Sequence, residues 1–303
     1  MSARLLLVDA SPYVFRAFFS LPDSIKTKDG APANAVYGFA SFLSKLLGDE
    51  RPTHLAIAFD GSLTSSFRND LFPAYKAQRA LPPAELEAQL DLCFEVGRAF
   101  GAACFIDDRY EADDLIATLV ERLVAPAGAA GTEAVIVSHD KDLAQLVGPR
   151  VTLFDFGKGE RLGPEEVVAK LGVRPEQVAD VLALRGDTVD NIPGVPGVGA
   201  KSAAALLARF RDLADLYAHL DEVPALPIRG AAALAARLAE HRERAELALA
   251  LVRLARDVPQ VAGVALADLA WSGADRATIE ALFDRLGFGG TLRDRVPLRP
   301  EGA

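Results

Sequence analysis

Carboxylates gather where this sequence expects strands to end. Leu5–Val8 runs into Asp9, Ala56–Phe59 into Asp60, and Val135–Val137 into Ser138-His139-Asp140-Lys141-Asp142. A fourth group, Glu111-Ala112-Asp113-Asp114, follows the apolar run Ala103–Ile106 and opens a helix carrying Leu115, Ile116, Leu119, Val120 and Leu123. Asp187 and Asp190 stand three apart ahead of a Pro-Gly break. One aspartate after a strand is ordinarily a turn former or a helix N-cap. Acids in a first helical turn ordinarily serve the helix dipole. Those accounts cover one or two of these residues, not three acids in four positions beside an apolar strand end. In an open parallel sheet, ligands bind beyond the carboxyl ends of the strands, so acids delivered there by separate strands share one cleft. Packed like charges repel and persist only with cations or raised pKa values. An oxygen-only set suits Mg²⁺ or Mn²⁺.

Two further segments could handle phosphate. Gly194-Val195-Pro196-Gly197-Val198-Gly199 precedes a helix starting near Lys201. Glycines permit a tight turn and close backbone approach, and a helix N-terminus offers free N–H groups to an anion. This is a helix–hairpin–helix pattern for gripping a nucleic-acid backbone. The strand that a dinucleotide fold needs before it is missing, and Lys201 is not at P-loop spacing. The second segment is Phe67–Arg79, where Arg68, Lys76 and Arg79 against Asp70 leave a charge of +2 among aromatic residues. It suits phosphate neutralisation with base stacking. It equally suits an amphipathic helix with Phe67, Leu71 and Phe72 in the core.

The elements that must position these groups divide the chain. Leu5–Val8, Leu55–Phe59, Ala103–Ile106, Val135–Val137 and Val151–Phe154 read as buried strands. Helical stretches Ala35–Leu47, Pro83–Phe100 and Asp113–Val124 alternate with them, predicting a mostly parallel sheet covered on both faces. From Pro164 the pattern turns helical, with Pro164–Leu171, Pro175–Leu184, Lys201–Phe210 and Gly230–Arg256. The expected organisation is an α/β core over 1–163, a helical region over 164–296 with a helix–hairpin–helix element at about 186–210, and a loose tail over 297–303. Ala125–Gly131 reads as a flexible surface loop.

Composition sets the bounds. No apolar run among the 303 residues approaches a membrane span, and Leu5–Val8 is too short for a signal-peptide core. Cys93 and Cys104 sit among apolar residues and read as buried thiols, so a cytoplasmic location is expected. A net charge of −9 argues against nucleic acid as a partner. The nine acids of the five groups account for that whole excess, however, and bound cations would offset them. His54, His139, His219 and His241 have no zinc-like spacing.

Taken together and in order, the motifs resemble a known family. They are Asp9-Ala10-Ser11 with Arg16-Ala17-Phe18, Phe59-Asp60, Phe67-Arg68, Tyr75-Lys76-Ala77-Gln78-Arg79, Tyr110–Asp114, Asp140-Lys141-Asp142-Leu143 and Gly186–Lys201. The chain is similar, from Leu5 to about Phe288, to the 5′→3′ exonuclease domain of bacterial DNA polymerase I and more distantly to flap endonucleases. The resemblance implies a PIN-like core with a helical arch at about 64–100. It implies that Asp9, Asp60, Glu111, Asp113, Asp114, Asp140, Asp142, Asp187 and Asp190 form the metal site. The first five would hold the tighter of two ions. Tyr75, Lys76 and Arg79 match the arch motif, Arg16 and Arg68 match substrate-contacting arginines, and Gly194, Gly197, Gly199 and Lys201 match the duplex-binding turn, where a K⁺ ion is expected. Asp9, Asp114, Lys76 and Arg79 are the expected catalytic residues. Ala10, Arg109 and Ala200 depart from the family pattern without removing a ligand.

The function so implied is hydrolysis of DNA at 5′ ends or 5′ flaps, by a monomer using two Mg²⁺ ions, with Mn²⁺ as a substitute. An RNA–DNA hybrid is a further candidate substrate. The resemblance does not extend to a polymerase portion, so a separate DNA polymerase is an expected partner. A non-catalytic structure-specific DNA-binding protein is the alternative on the same fold. A phosphatase using Asp9 would need an acid where Ser11 stands, and a PIN-type ribonuclease would not need Gly186–Lys201.

Overall fold

The computed structural model describes residues 3–62, 65–124 and 131–300. Six strands form one sheet in the order β3-β2-β1-β4-β5-β6. They are β1 (Ala3–Asp9), β2 (His54–Asp60), β3 (Ala103–Asp107), β4 (Thr132–Val137), β5 (Val151–Asp155) and β6 (Glu160–Leu162). The first five are parallel, as their short apolar runs predict, and β6 pairs antiparallel at the edge. Strand order reverses between β1 and β4, so the crevice expected for a ligand opens between their carboxyl ends. Asp9 closes β1 there, and Ser138-His139-Asp140 follows β4.

Alternation within the strands divides the core in two. Leu5 and Leu7 of β1 face one cluster, and Leu6 and Val8 face the other. On the second face lie helices α1 (Ser11–Ser20), α2 (Asn34–Glu50) and, beyond the short α3 (Phe67–Leu71), α4 (Ala84–Ala99). The first face takes α5 (Ala112–Leu123), whose Leu115, Ile116 and Leu119 are buried. Each such side chain contributes roughly 1.5–3 kcal/mol on leaving water.

The C-terminal helices α6 (Pro164–Leu171), α7 (Val178–Arg185), α8 (Ala200–Arg209), α9 (Leu213–Ala218), α10 (Ala231–Glu240) and α11 (Arg242–Val252) continue the first cluster. The last long helix, α12 (Arg276–Leu286), does not. Its Ile279, Leu282 and Phe283 cross to the second face and pack with α4. The helical region expected over 164–296 therefore serves both faces of the sheet.

Other expectations change as well. The helical arch expected at about 64–100 is helical only at its ends. α4 is a core helix, with Leu86, Cys93 and Val96 buried against α2, and 72–83 is a run of turns and extended chain. Gly230–Arg256 breaks into two helices at His241. Pro297 and Arg299, placed in a loose tail, pair with Ala274 through backbone hydrogen bonds of 2.9 and 2.8 Å. Of the loop expected at Ala125–Gly131, all but Gly131 lies outside the described residues. Cys93 is buried and Cys104 half-buried, both unpaired. No described helix is long and apolar enough to cross a membrane.

Candidate active site

A cleft of about 360 Å³ opens over the carboxyl ends of β1, β2 and β4. Its lining includes Asp9, Asp60, Glu111, Asp113, Asp140, Asp142 and Asp190. Asp187 lies in an adjoining groove shared with Asp140, Asp142, Asp190 and Gly199. Eight of the nine expected acids thus surround two connected hollows.

The strand-end acids are fixed by neighbours. Ser138 Oγ donates to Asp9 Oδ2 at 2.8 Å. Asp60 accepts from Ser11 Oγ at 2.5 Å and from Ala112 N at 2.9 Å, which ties α1 and α5 to the end of β2. Burial, then the neighbouring Asp60, push the Asp9 carboxyl well above its usual range. Burial and the charges of Asp9, Asp140 and Asp60 do the same to Asp113. Asp142 is pushed up to about 7 by burial, then by Asp140, Asp187 and Asp190. This cleft therefore holds more negative charge than its own surroundings neutralise.

Lys76 provides part of the compensation. Its Nζ donates to Glu111 Oε2 at 2.8 Å and lies 3.9 Å from Asp190. Burial works against that ammonium, but Glu111, Tyr75 and Asp190 together outweigh it and hold the group above its ordinary value. Glu111 is correspondingly held low by Lys76 and Arg68 despite its burial. Lys76 has a left-handed backbone, φ 54°, which a side chain adopts only under local constraint. The constraint is visible. Lys76 N donates to Asp190 O at 3.0 Å, Gln78 Nε2 to Val189 O at 2.7 Å, and Asn191 Nδ2 to Ala74 O at 2.6 Å. Arg79 ion-pairs with Asp190. The 74–79 segment is thus latched to the 187–191 loop.

Three expected site residues are engaged within the protein, although Arg68 and Tyr75 still line the cleft. Asp114, the expected ligand and catalytic residue, is wholly buried, at 0% exposure, and absent from the cleft wall. Its two oxygens accept from Arg68 Nη1 and Nη2, each at 2.8 Å, and from the backbone of Glu111 and Ala255. Arg68, expected to meet substrate, is 2% exposed and spends its remaining donors on Leu251 O and Arg253 O. The pair is a buried strut under Glu111 and Asp113. Of the amphipathic reading of this segment, Phe72 packs against the core as expected, whereas Leu71 is exposed and Arg68 is buried instead. Tyr75, expected to stack on a base, is 3% exposed, with its hydroxyl directed at Glu111 Oε2, 3.3 Å away.

Arg16 is exposed on the outer side of α1 against Gly157, away from the cleft wall. In the glycine turn, Gly194 packs so closely on the Arg185–Gly186 backbone that any Cβ would collide. Gly197 takes a left-handed φ of 74°. Gly199 caps α8 and, with Ala200 and Lys201, is exposed and open to an anion. Ser11 and His139 line the cleft and Ser138 lies behind it, in roles that the sequence motifs alone do not assign. The serines matter as donors to two carboxylates, and no periodic pattern marks such roles.

Residues 4–172 match the family described as 5′-3′ exonuclease, N-terminal resolvase-like domain, and residues 173–277 match 5′-3′ exonuclease, C-terminal SAM fold. The chain belongs to the 5′-3′ exonuclease family. Over 295 residues, 95% of this chain, it is 41% identical to DNA polymerase I of Bacillus caldotenax, and it covers 32% of that protein. It is 47% identical over 219 residues to DNA polymerase I of Rhizobium leguminosarum, covering 70% of this chain and 21% of that one. It therefore spans about a third or less of the relatives' length. Among solved structures, T5 5′-exonuclease with bound divalent metal ions (zinc) superposes with a TM-score of 0.67 at 24% identity, over 93% of this chain and 99% of that one. The catalytic core of Rad2 in complex with DNA substrate gives 0.58 at 17%, over 94% and 88%. At these identities the two structures show the shared fold.

Proposed function

We propose that this chain is a structure-specific 5′-nuclease that hydrolyses DNA phosphodiester bonds, as 5′→3′ exonuclease or 5′-flap endonuclease, with two divalent cations in the acidic cleft. One observation carries the reading: Asp9, Asp60, Glu111 and Asp113 meet Asp140, Asp142 and Asp190 in a single cleft that also presents Lys76 and Arg79. The donor chemistry fits Mg²⁺, with Mn²⁺ as a substitute. It is all oxygen, and the neighbours that most raise Asp113 are the carboxylates of Asp9, Asp140, Asp60 and Glu111. Among the described residues no three acidic, histidine or cysteine side chains converge tightly enough to encage an ion. Water and substrate phosphate would complete the coordination, as Mg²⁺ prefers.

Asp9, Asp60, Glu111 and Asp113 would hold one ion, and Asp140, Asp142, Asp187 and Asp190 the other. When bound, such ions supply an activated water and neutralise phosphoryl oxygens. The rest is done by the chain's own groups. Lys76 and Arg79, engaged with Glu111 and Asp190, are placed to turn toward the scissile phosphate and stabilise charge there. Gly199 and the exposed N–H groups of α8, with Lys201, would hold a duplex phosphate beyond the groove. A K⁺ ion at that turn and a polymerase working on the same strand are the finer parts of the proposal.

The test is cleavage of an end-labelled 5′-flap DNA beside a flush 5′-ended duplex, in Mg²⁺ and in EDTA. Cutting next to the junction, in Mg²⁺ alone, supports flap endonuclease activity, and stepwise release of nucleotides from the flush end supports exonuclease activity. Tight flap binding with no cutting in Mg²⁺ or Mn²⁺ would reject both.

A further inference from the structure

The chain leaving α11 runs directly under the acidic cleft, and both carboxylate groups are tied to it. Leu251, Val252 and Leu254 line the cleft. The last carbonyls of a helix have no partner within it, and here Arg68 Nε takes Leu251 O at 2.7 Å. The next is taken by Gln145, whose Nε2 donates to Val252 O at 3.1 Å. The same nitrogen donates to Asp142 O at 2.9 Å, and Gln145 Oε1 accepts from Leu254 N at 3.3 Å. Three residues on, Ala255 N donates to Asp114 Oδ1 at 2.8 Å. Residues 251–255 are thus a strap, fastened to the Arg68–Asp114 strut at Leu251, Arg253 and Ala255 and to Gln145 at Val252 and Leu254.

We propose that Gln145 is a positioning residue that sets the Asp140–Asp142 side of the cleft against the Asp9–Asp113 side. Gln145 is only 8% exposed and is not itself part of the cleft wall, although its partners Asp142, Val252 and Leu254 are. It acts through the backbone. Asp142 opens the short 3-10 turn Asp142–Leu146, and Asp142 N donates to Asp140 Oδ1 at 2.9 Å. Fixing Asp142 O therefore fixes two carboxylates together. Asp140 N in turn donates to Ser138 Oγ, and Ser138 Oγ donates to Asp9. Hydrogen bonds run from Asp9 through Ser138, Asp140, Asp142 and Gln145 to the strap, and from the strap to Asp114. A glutamine suits this position because it offers two donors and an acceptor without adding charge to an acidic cleft.

This inference rests on the two-cation reading, and its test separates the two. Mn²⁺ is titrated by calorimetry into wild type, Gln145→Ala and Gln145→Met, without DNA, beside a metal-free thermal melt. Methionine keeps the volume and removes the hydrogen bonds. Wild type is expected to take up two ions. Both variants are expected to keep the tighter ion unchanged and to weaken the second roughly 10- to 100-fold, the usual consequence of removing a partner behind a ligand. Gln145→Met with both affinities unchanged would overturn the positioning role while leaving the two-cation reading intact. Equal weakening of both ions with a lowered melt would also overturn it, because general loosening does that. A wild type that takes up no Mn²⁺ removes the two-cation reading and this inference together.

Discussion

The acidic cleft has two sides built in different ways. Asp9, Asp60 and Asp113 stand at ends of a parallel sheet and on the first turn of α5, over the fully buried Arg68–Asp114 pair. Asp142, Asp187 and Asp190 stand on turns. Those turns are held by side chains that tie them to other segments, Gln145 joining the Asp142 turn to the strap, and Gln78 and Asn191 joining the 187–191 loop to the 74–79 segment. Rigid elements place groups more accurately than loops do. The first side is therefore a fixed platform, and the second is a set of adjustable parts whose latch includes the two cations, Lys76 and Arg79, that the proposed chemistry needs.

That contrast can be broken at its foundation. Asp114→Ala leaves Arg68 buried without its partner and is expected to cost about 3–5 kcal/mol in urea unfolding. Arg68→Met combined with Asp114→Leu should recover much of the loss, since an apolar pair of similar volume avoids the unpaired charge. A stability unchanged by Asp114→Ala would mean the strut does not support the platform.

On the adjustable side, Lys76→Ala is expected to slow single-turnover cleavage ~10²–10³-fold, the scale for removing one stabilising donor. DNA binding should weaken far less. Equal losses would assign Lys76 to binding alone.

Asp142 gives a pH test of how crowded that side is. Its folded pKa of about 7 lies above the unfolded value of about 3.9. Neutral carboxyl is thus favoured by folding. The stability it brings is full below the unfolded value and lost as pH rises through 7. In metal-free melts, Asp142→Asn should exceed wild type above pH 7 by on the order of 1 kcal/mol. The gap should close toward pH 4, and a gap that does not vary with pH would contradict the repulsion argument.

The smallest effect belongs to the groove beyond. Lys201→Ala should lower the slope of log affinity against log salt by about one phosphate contact, with no change in sequence preference. A slope equal to wild type would remove Lys201 from the backbone contacts.

The sheet and the acids at its carboxyl edge were legible in the sequence for a physical reason. Short apolar runs such as Leu5–Val8 specify buried parallel strands, and strand direction then fixes where Asp9, Asp60 and Asp140 must lie. The matched pair Arg68 and Asp114 was not legible as a pair. The two are 46 positions apart, and each alone looks like a functional charge. Only the fold reveals that they neutralise each other. Gln145 was hidden for a similar reason, since its three partners lie on a turn and on a strap 107 and 109 positions away. The arch was implied by the resemblance alone, for the periodicity of 84–99 records burial against α2 and says nothing of the irregular 72–83 before it. α12 was missed as part of the second face because helical pattern does not say which side of a sheet a helix covers.

The most direct test of the central claim is single-turnover cleavage of a 5′-flap DNA by wild type and Asp113→Ala in Mg²⁺, with flap binding measured in parallel without divalent ions. Asp113 lines the cleft and takes no part in the buried strut, so its loss should leave fold and binding in place. The account predicts Mg²⁺-dependent cutting by wild type and a rate at least ~10³-fold lower for the variant, as loss of a cation's support would give. Cutting by Asp113→Ala at the wild-type rate would contradict it.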